Sequence, residues 1–496
     1  MLSILDNPLI STIRSITTER NIHAWLVGGA VRDWLLGRSI HDWDIAVERE
    51  AIPLARALAD RLQADVYVLD PDRDTARVIM ADAVIDIARL RVASIEGDLE
   101  ARDFTINALA IDLAEPDRLI DLFNGQRDLN DGLIRAISEE ALTTDPIRLL
   151  RGVRLSASLL FGLDPITAGW IKSHSALIQS ASAERVRDEL LKTLIEPGTA
   201  DNLILLDAFD LLHTVLPEVV AMHGVEQSLP HHWDVFEHTR RVVDSLELIL
   251  TRVLGWPQAD ESALMLPVIP AFVWDGLIYT LSPYTDSLRA HLQIDANDLE
   301  RSRLSLLKWA ALLHDIGKPS ARTVDPDGRS RFFTHEDVGA ELAADRMREL
   351  RFNKDAIDRV SGIIRSHMRP HHLAKSAVTR RAIYRFFHAC GDYGVDVLLL
   401  SIADRLATHG PDLERDYWVT RLGMIDQMLS AYFEQGAPII APPQLVTGDD
   451  VMSALNLKPG KHIGAILEAI REAQADGEVQ TKEEALQVAR RMLEEK

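Results

Sequence analysis

Short apolar runs bounded by turn residues dominate the first part of the chain. Ala24–Val27, Trp43–Val47, Asp65–Leu69, Arg77–Met80 and Val84–Ala88 predict strands. Between them, Val31–Leu36 and Ile52–Leu62 carry apolar residues at helical spacing. Residues 22–140 therefore predict a small α/β domain. From about Thr144 the period lengthens. Pro146–Ser158, Thr167–Gln179 and Ala183–Leu194 predict a first helical block. The remainder is helix-rich, with turn clusters near Pro217, Pro230, Pro257, Pro319 and Asp325-Pro326-Asp327-Gly328. Gly436–Pro443, with three prolines, predicts a linker before a last helical piece, and the final acidic helix from Lys482 to Lys496 reads as a solvated amphipathic end. The expected division is 1–140, 141–215, 216–425 and 426–496.

Composition narrows the class. At 47% hydrophobic and 26% charged, the chain has the make-up of a soluble globular protein. The single cysteine, Cys390, excludes an internal disulfide and fits a reducing cytoplasm, with the thiol expected as a buried small hydrophobe. Met1–Arg20 has early charges and no apolar leader core. The most apolar stretch, Leu264–Leu281, is broken by Pro267, Pro270 and Asp275, so it is expected in a core rather than in a membrane. The formal net charge of −22 argues against wholesale electrostatic capture of nucleic acid. Any RNA contact must come from a local basic surface, because screening confines charge effects to about 8–10 Å.

Candidate chemistry begins where the strand Ala24–Val27 runs into Gly28-Gly29 and a helix. Two glycines let backbone N–H groups approach a ligand, the helix start favours an anion, and Arg32 adds a charged donor. Asp42 and Asp44 follow, two apart on a strand, so both carboxylates share one face. Hard oxygen ligands of this kind suit Mg²⁺.

The string Gly28-Gly29-Ala30-Val31-Arg32-Asp33 followed by Asp42-Trp43-Asp44 resembles the signature of the DNA polymerase β-like nucleotidyltransferases. Within them it is similar to the class II tRNA nucleotidyltransferase and bacterial poly(A) polymerase family. Four further stretches match that family in order: Arg102–Leu109, Asp121–Gly125 with Asp128-Leu129, Asp145–Arg151 and Glu184–Glu189. The resemblance implies an α+β polymerase β-like nucleotidyltransferase domain followed by all-α domains. It implies that Asp42 and Asp44 hold catalytic Mg²⁺, with Asp86 either a third carboxylate or a plain strand-surface residue. Gly28, Gly29 and Arg32 would hold the triphosphate, Arg102 and Asn107 would place triphosphate and ribose, and Asp103 would orient them. Asp145 and Arg148 would read the incoming base. A carboxylate accepts from the amine of cytosine or adenine, and a guanidinium donates to the ring acceptors beside it. Uracil and guanine oppose the carboxylate with a carbonyl. Asp145 before Pro146 also suits a helix N-cap. Arg151 and Arg154 continue the stripe, with nucleotide and RNA contacts expected.

Two positions depart from the family: Thr144 replaces a glutamate before Asp145, and Ala101 replaces an arginine before Arg102. A third departure is length. Only Arg89–Glu100 separates the strand Val84–Ala88 from Ala101, where enzymes that add all of CCA carry a longer loop. The short connection resembles CC-adding members, which take CTP and leave ATP to a separate A-adding enzyme on the same tRNA 3′ end. The alternatives are a full CCA-adding enzyme, a poly(A) polymerase, an HD hydrolase with an RNA-binding front domain, or a nucleotide-sensing module.

A second constellation lies further on. His314-Asp315 ends the apolar helix Leu304–Leu313, terminated by Gly317 and Pro319, and a buried His-Asp pair is costly unless satisfied. With His238, His335, His367 and Asp404 it resembles the HD phosphohydrolase superfamily, including the extra histidines of a two-metal site. The resemblance implies an HD-type helical domain with Mn²⁺, Ni²⁺, Fe²⁺ or Mg²⁺. His231, His232, His371 and His372 are expected as polar residues at the cleft mouth. Residues 247–303 read as an insertion of no assigned role. In the tail, Lys458, Lys461 and His462 surround two glycines before a helix, where either RNA phosphate or an ordinary helix start fits.

Overall fold

A computed structural model of the chain describes residues 4, 7–80, 83–255, 269–293, 298–374, 378–409 and 412–494. They form two compact units: Met1–Ser182 with Ala208–Thr214, and Ala183–Asp207 with Val215–Lys496.

The first unit is built on a seven-stranded sheet. Its strands are β1 (Ala24–Val27), β2 (Asp42–Val47), β3 (Asp65–Asp70), β4 (Thr75–Ile79), β5 (Val84–Arg89), β6 (Leu109–Asp112) and β7 (Leu119–Asp121), ordered β3-β4-β5-β2-β1-β6-β7. The wholly apolar β1 is buried along its length near the centre. β2 and β5 pair in parallel, setting Asp44 opposite Asp86; the other pairs are antiparallel. The helix Ala51–Leu62 buries Ala51, Leu54, Ala55, Leu58 and Ala59 in the i, i+3, i+4 pattern that lays one face on the sheet. The five strands expected from the sequence are present within two residues at each end. The sheet also gains β6 and β7, and an N-terminal helix, Pro8–Glu19, is capped by Asn7. Helices Glu139–Thr144, Ile147–Leu159 and Pro165–Ser173 complete this unit.

The second unit is helical. Val235–Leu248 packs on Gly394–His409 and on Arg303–Leu313, and His335–Glu349 packs on Lys354–Ser366. The described parts of 247–303 belong to this body. Helix Ala271–Leu281 buries Val273, Leu277 and Leu281 and lies on Arg415–Ser430, while residues 264–268 of the expected apolar stretch fall outside the described residues. The run Arg380–His409 has the length and apolarity of a membrane span, yet most of it is buried inside the protein, as a core helix would be. Cys390 is buried there.

The tail differs from expectation in one place: Gly436–Pro443 contains a short helix, Ala437–Ile440, with Ile439 buried. The last helix, Lys482–Glu494, is amphipathic: Ala485, Val488 and Ala489 join Val451, Ile463, Ile466 and Ile470 in a small apolar cluster. Spacing of three and four residues gives even a strongly charged helix one apolar stripe.

Candidate functional sites

In the first unit an open pocket of about 360 Å³ lies over the sheet, lined among others by Asp44, Asp86, Arg102, Asp103, Arg148 and Arg151. Asp42 and Asp44 share a face of β2, with Asp42 exposed at the strand start and Asp44 half-buried. Burial pushes the Asp44 carboxyl up to about 6, and the carboxylates of Asp86 and Asp42 add to this against the pull of Arg102. Asp86 stands beside Asp44 on β5 and is gripped at both oxygens by Arg77, at 2.8 Å each. A buried carboxyl that resists ionising, crowded by two more carboxylates, suits a divalent cation.

The glycine turn fits tightly. Gly28 has φ +70°, and a Cβ there would stand 2.6 Å from Arg102 Nη1 and 3.3 Å from Asp44 Oδ2. Gly29 opens the helix Gly29–Leu35. A chain of hydrogen bonds then ties the expected phosphate and base residues together. Arg32 donates to Asp33 (2.8 and 2.9 Å) and to Asn107 Oδ1 (2.8 Å). Asn107 donates to Asp103 Oδ1 (3.1 Å), and Arg151 donates to Asp103 Oδ2 (3.1 Å). Asp103 is buried. Burial alone would raise its pKa, but Arg151, Asn107 and the Phe104 N–H hold it below the usual range. Arg102 is braced by Asp98 at 3.1 Å.

Arg148 donates to the carbonyls of Ala101 (2.8 Å), Arg102 and Ala141 (3.0 Å each) and lies 3.7 Å from Asp145 through Nε. Its buried Nε–H has no hydrogen-bond acceptor. Asp145 follows the helix Glu139–Thr144, and Pro146 takes the N-cap position of Ile147–Leu159. Arg154 lies on that helix away from the pocket lining.

In the second unit a cleft of about 1140 Å³ opens onto Asp315, His335, His367 and Asp404. Six buried candidate ligands divide into two groups, His238, His314, Asp404 and Asp315, His335, His367, with the possible ligand atoms of each within 4.8 Å of one another. Asp315 joins them. Its Oδ2 faces His314 Nε2 (3.1 Å) and His238 Nε2 (3.6 Å), and its Oδ1 faces His335 Nε2 (3.5 Å) and His367 Nε2 (3.9 Å). Asp404 Oδ1 is 3.2 Å from His238 Nε2.

The tautomers follow from the backbone. His314, His335 and His367 each set Nδ1 within 2.6–2.9 Å of the carbonyl three residues earlier. A carbonyl only accepts, so Nδ1 carries the proton and Nε2 presents a lone pair. Three such lone pairs converge beside two carboxylates, and His238 Nδ1, His238 Nε2 and His314 Nε2 are buried without hydrogen bonds. Burial lowers the pKa of His238 and His335 and takes His367 down to about 3, which favours neutral rings able to serve as ligands. His314 is opposite: burial lowers it, but the Asp315 carboxylate outweighs this and raises it. Burial would raise Asp315 and Asp404. His314 and Lys318 hold the first well below the usual carboxylate range, and Arg405 and His238 hold the second there. This donor set fits first-row divalent metals.

His231, His371 and His372 line the cleft, whereas His232 pairs instead with Asp412 at 3.2 Å. Lys458 and Lys461 are exposed at the start of helix Lys461–Ala475. Sequence reasoning missed three charged partners. Lys318 stands 2.6 Å from Asp315 Oδ2, Arg405 holds Asp404 at 3.1 Å, and Asp98 braces Arg102. The i, i+3 and i, i+4 spacings of Asp315–Lys318 and Asp98–Arg102 were the available signals.

Comparison with known proteins agrees with this geometry. Residues 24–135 match the Poly A polymerase head domain, 161–222 the probable RNA and SrmB-binding site of polymerase A, and 287–409 the HD domain. An A-adding tRNA nucleotidyltransferase of Deinococcus radiodurans is 35% identical over 95% of this chain and 96% of its own length. A CC-adding tRNA nucleotidyltransferase of Thermus thermophilus is 35% identical over 93% and 92%. A solved CCA-adding enzyme with ATP shares the fold, with a TM-score of 0.60, 20% identity and coverage of 98% and 95%. At that identity the likeness speaks to the fold alone. Full-length similarity to two sequence relatives, over a polymerase-type head and an HD domain, establishes that this chain is an enzyme of the tRNA nucleotidyltransferase family.

Proposed function

We propose that this enzyme adds cytidines to the tRNA 3′ end and stops at CC, using CTP, with ATP left to a separate A-adding enzyme. The observation that carries this reading is the short link after β5: residues 90–94 alone separate it from the helix Ile95–Glu100, which Arg102 closes through Asp98. Little chain is left there to rearrange around a second base.

In this reading residues 1–140 carry the transfer chemistry and 141–215 the base selection. Residues 216–425 hold the second metal site, and 426–496 form the tail. Asp42, Asp44 and Asp86 would hold Mg²⁺, which supplies charge neutralisation and Lewis acidity at the reacting phosphate. The Gly28-Gly29 backbone, Arg32 and Arg102 hold the triphosphate. Asn107 and Asp103 fix Arg32 and Arg151 in place. Arg148, whose unpaired Nε–H stands 3.7 Å from Asp145, would donate to the base, and the Asp145 carboxylate would accept from the cytosine amine. Arg151 and Arg154 contact nucleotide and RNA, and Lys458 and Lys461 contact RNA phosphate. The test supplies tRNA ending at the discriminator base, at C or at CC, with one labelled nucleotide at a time. CMP on the first two and no AMP on the third is expected. AMP addition to the CC end overturns the reading.

A second activity is proposed for the HD site, hydrolysis of a phosphoester with Mn²⁺, Ni²⁺, Fe²⁺ or Mg²⁺ bound. It is supported by the converging Nε2 atoms around Asp315. Equal hydrolysis of model phosphoesters by the metal-loaded wild type, His314→Ala and Asp315→Ala would overturn it.

A further inference from the structure

Three side chains stand in one row across adjacent strands of the sheet. Arg77 on β4 is the register partner of Asp86 on β5, and Asp86 is the register partner of Asp44 on β2. Registered partners in a sheet point to the same face. The Arg77 Nε and Nη2 donate to both Asp86 oxygens at 2.8 Å, a planar two-point grip that no lysine reproduces. Asp42 and Asp44 also lie within the electrostatic reach of Arg77, and Asp86 and Arg77 are partly open to solvent. The guanidinium thus sits at the outer end of an acidic row whose inner end lines the pocket.

We infer that Arg77 is a positioning residue of the nucleotidyltransferase site: it is a built-in counter-cation that competes with the divalent metal for Asp86 and thereby sets metal affinity. The inference rests on the reading of Asp42 and Asp44 as metal ligands. With Arg77 in place, both Asp86 oxygens are engaged, and the carboxylate is held beside Asp44 at reduced effective charge. Removing the guanidinium frees two oxygens and one unit of negative charge next to the metal position. A unit charge acting on a dication at this range in water is worth about tenfold in affinity.

The test measures Mn²⁺ binding by calorimetry and by electron paramagnetic resonance. It uses the full chain carrying His314→Ala and Asp315→Asn, which leaves neither group of the second metal site with three ligands. Arg77→Gln is expected to bind Mn²⁺ about tenfold more tightly than its parent, with the gap shrinking at high salt. Arg77→Lys, which keeps the charge without the two-point grip, should fall between them. In an Asp86→Asn background the Arg77→Gln effect should fall well below tenfold, leaving only the direct repulsion between guanidinium and metal. A residue with only a structural role would not produce that coupling. Equal affinities for Arg77→Gln and its parent, or a shift undiminished by Asp86→Asn, overturn the inference. If Asp44→Asn leaves Mn²⁺ binding intact, it is the ligand reading beneath it that fails.

Discussion

The Nε2 atoms of His335 and His367 face each other at 3.3 Å, while the Nδ1 of each ring meets a backbone carbonyl. Two lone pairs aimed at each other repel unless a cation lies between or beside them. Burial holds His367 near 3 and His335 below its ordinary value, so protonation is a poor substitute for a metal. The pH consequence has a definite sign. A histidine with a depressed folded pKa contributes stability that is full above its unfolded value, near 6.5, and is lost as pH falls towards the folded value. His314, which is raised, works in the opposite direction and offsets part of the loss. Metal-stripped protein is therefore expected to melt at a lower temperature at pH 5 than at pH 7.5. His367→Gln should narrow that difference. A pH-independent melting temperature would contradict the assignment of neutral rings.

Gly28 cannot be replaced without moving the first site. Its φ of +70° disfavours any L side chain, and its added Cβ would strike Arg102 and crowd Asp44. Gly28→Ala is expected to cost about 1–2 kcal/mol of stability. It should cost more in function, at about 100-fold or greater in kcat/KM for nucleotide addition, since displacement by an ångström near reacting groups has that effect. Thermal melts and single-nucleotide incorporation separate the two.

How far the sequence reached depends on how local each feature is. The strands around Asp42 and Asp86 were legible because apolar alternation and turn residues are local. β6 and β7 were not, because short runs with apolar residues beside them show no alternation. The six candidate metal-binding residues of the HD domain were legible as residue types, but their division into two groups bridged by Asp315 depends on helix packing. The grip of Arg77 on Asp86 follows from strand register, which nothing in the isolated string Thr75–Ile79 announces. His232 was grouped with the cleft by its neighbour, yet one residue along the chain points it to Asp412.

Arg148 joins structure to selectivity. It donates to the carbonyls of Ala101, Arg102 and Ala141, so its orientation is fixed by the chain around the second motif. Arg148→Lys retains the charge but lacks the planar fork. It should lower kcat/KM for CTP by about 10- to 100-fold, the equivalent of the about 1.5–3 kcal/mol that a hydrogen bond from a charged group contributes. Discrimination against UTP should relax as well. Competition between labelled CTP and UTP measures this directly. Unchanged discrimination would remove Arg148 from base reading and leave it a loop brace.

Glu247, at the start of the segment that had no assigned role, turns out to be one half of a buried pair. Its Oε1 lies 2.6 Å from Lys308 Nζ, and its carboxylate also accepts from the N–H groups of Gly198 and Thr199. Lys308 in turn donates to the carbonyls of Ile195 and Glu196 at 3.3 Å each. The pair thus pins the turn after the helix Ala183–Ile195 to the two helices that carry His238 and lead into His314. Removing one partner strands a buried charge and costs about 3–5 kcal/mol, whereas replacing both with apolar groups of similar volume is often neutral. Glu247→Leu alone should therefore lower the melting temperature sharply. The double variant Glu247→Leu, Lys308→Met should recover most of that loss, short of the hydrogen bonds to the turn. The metal content of the HD site should follow the same order, because His238 and His314 ride on the helices being pinned. A double variant no more stable than Glu247→Leu would show that the turn contacts, rather than the ion pair, hold this junction.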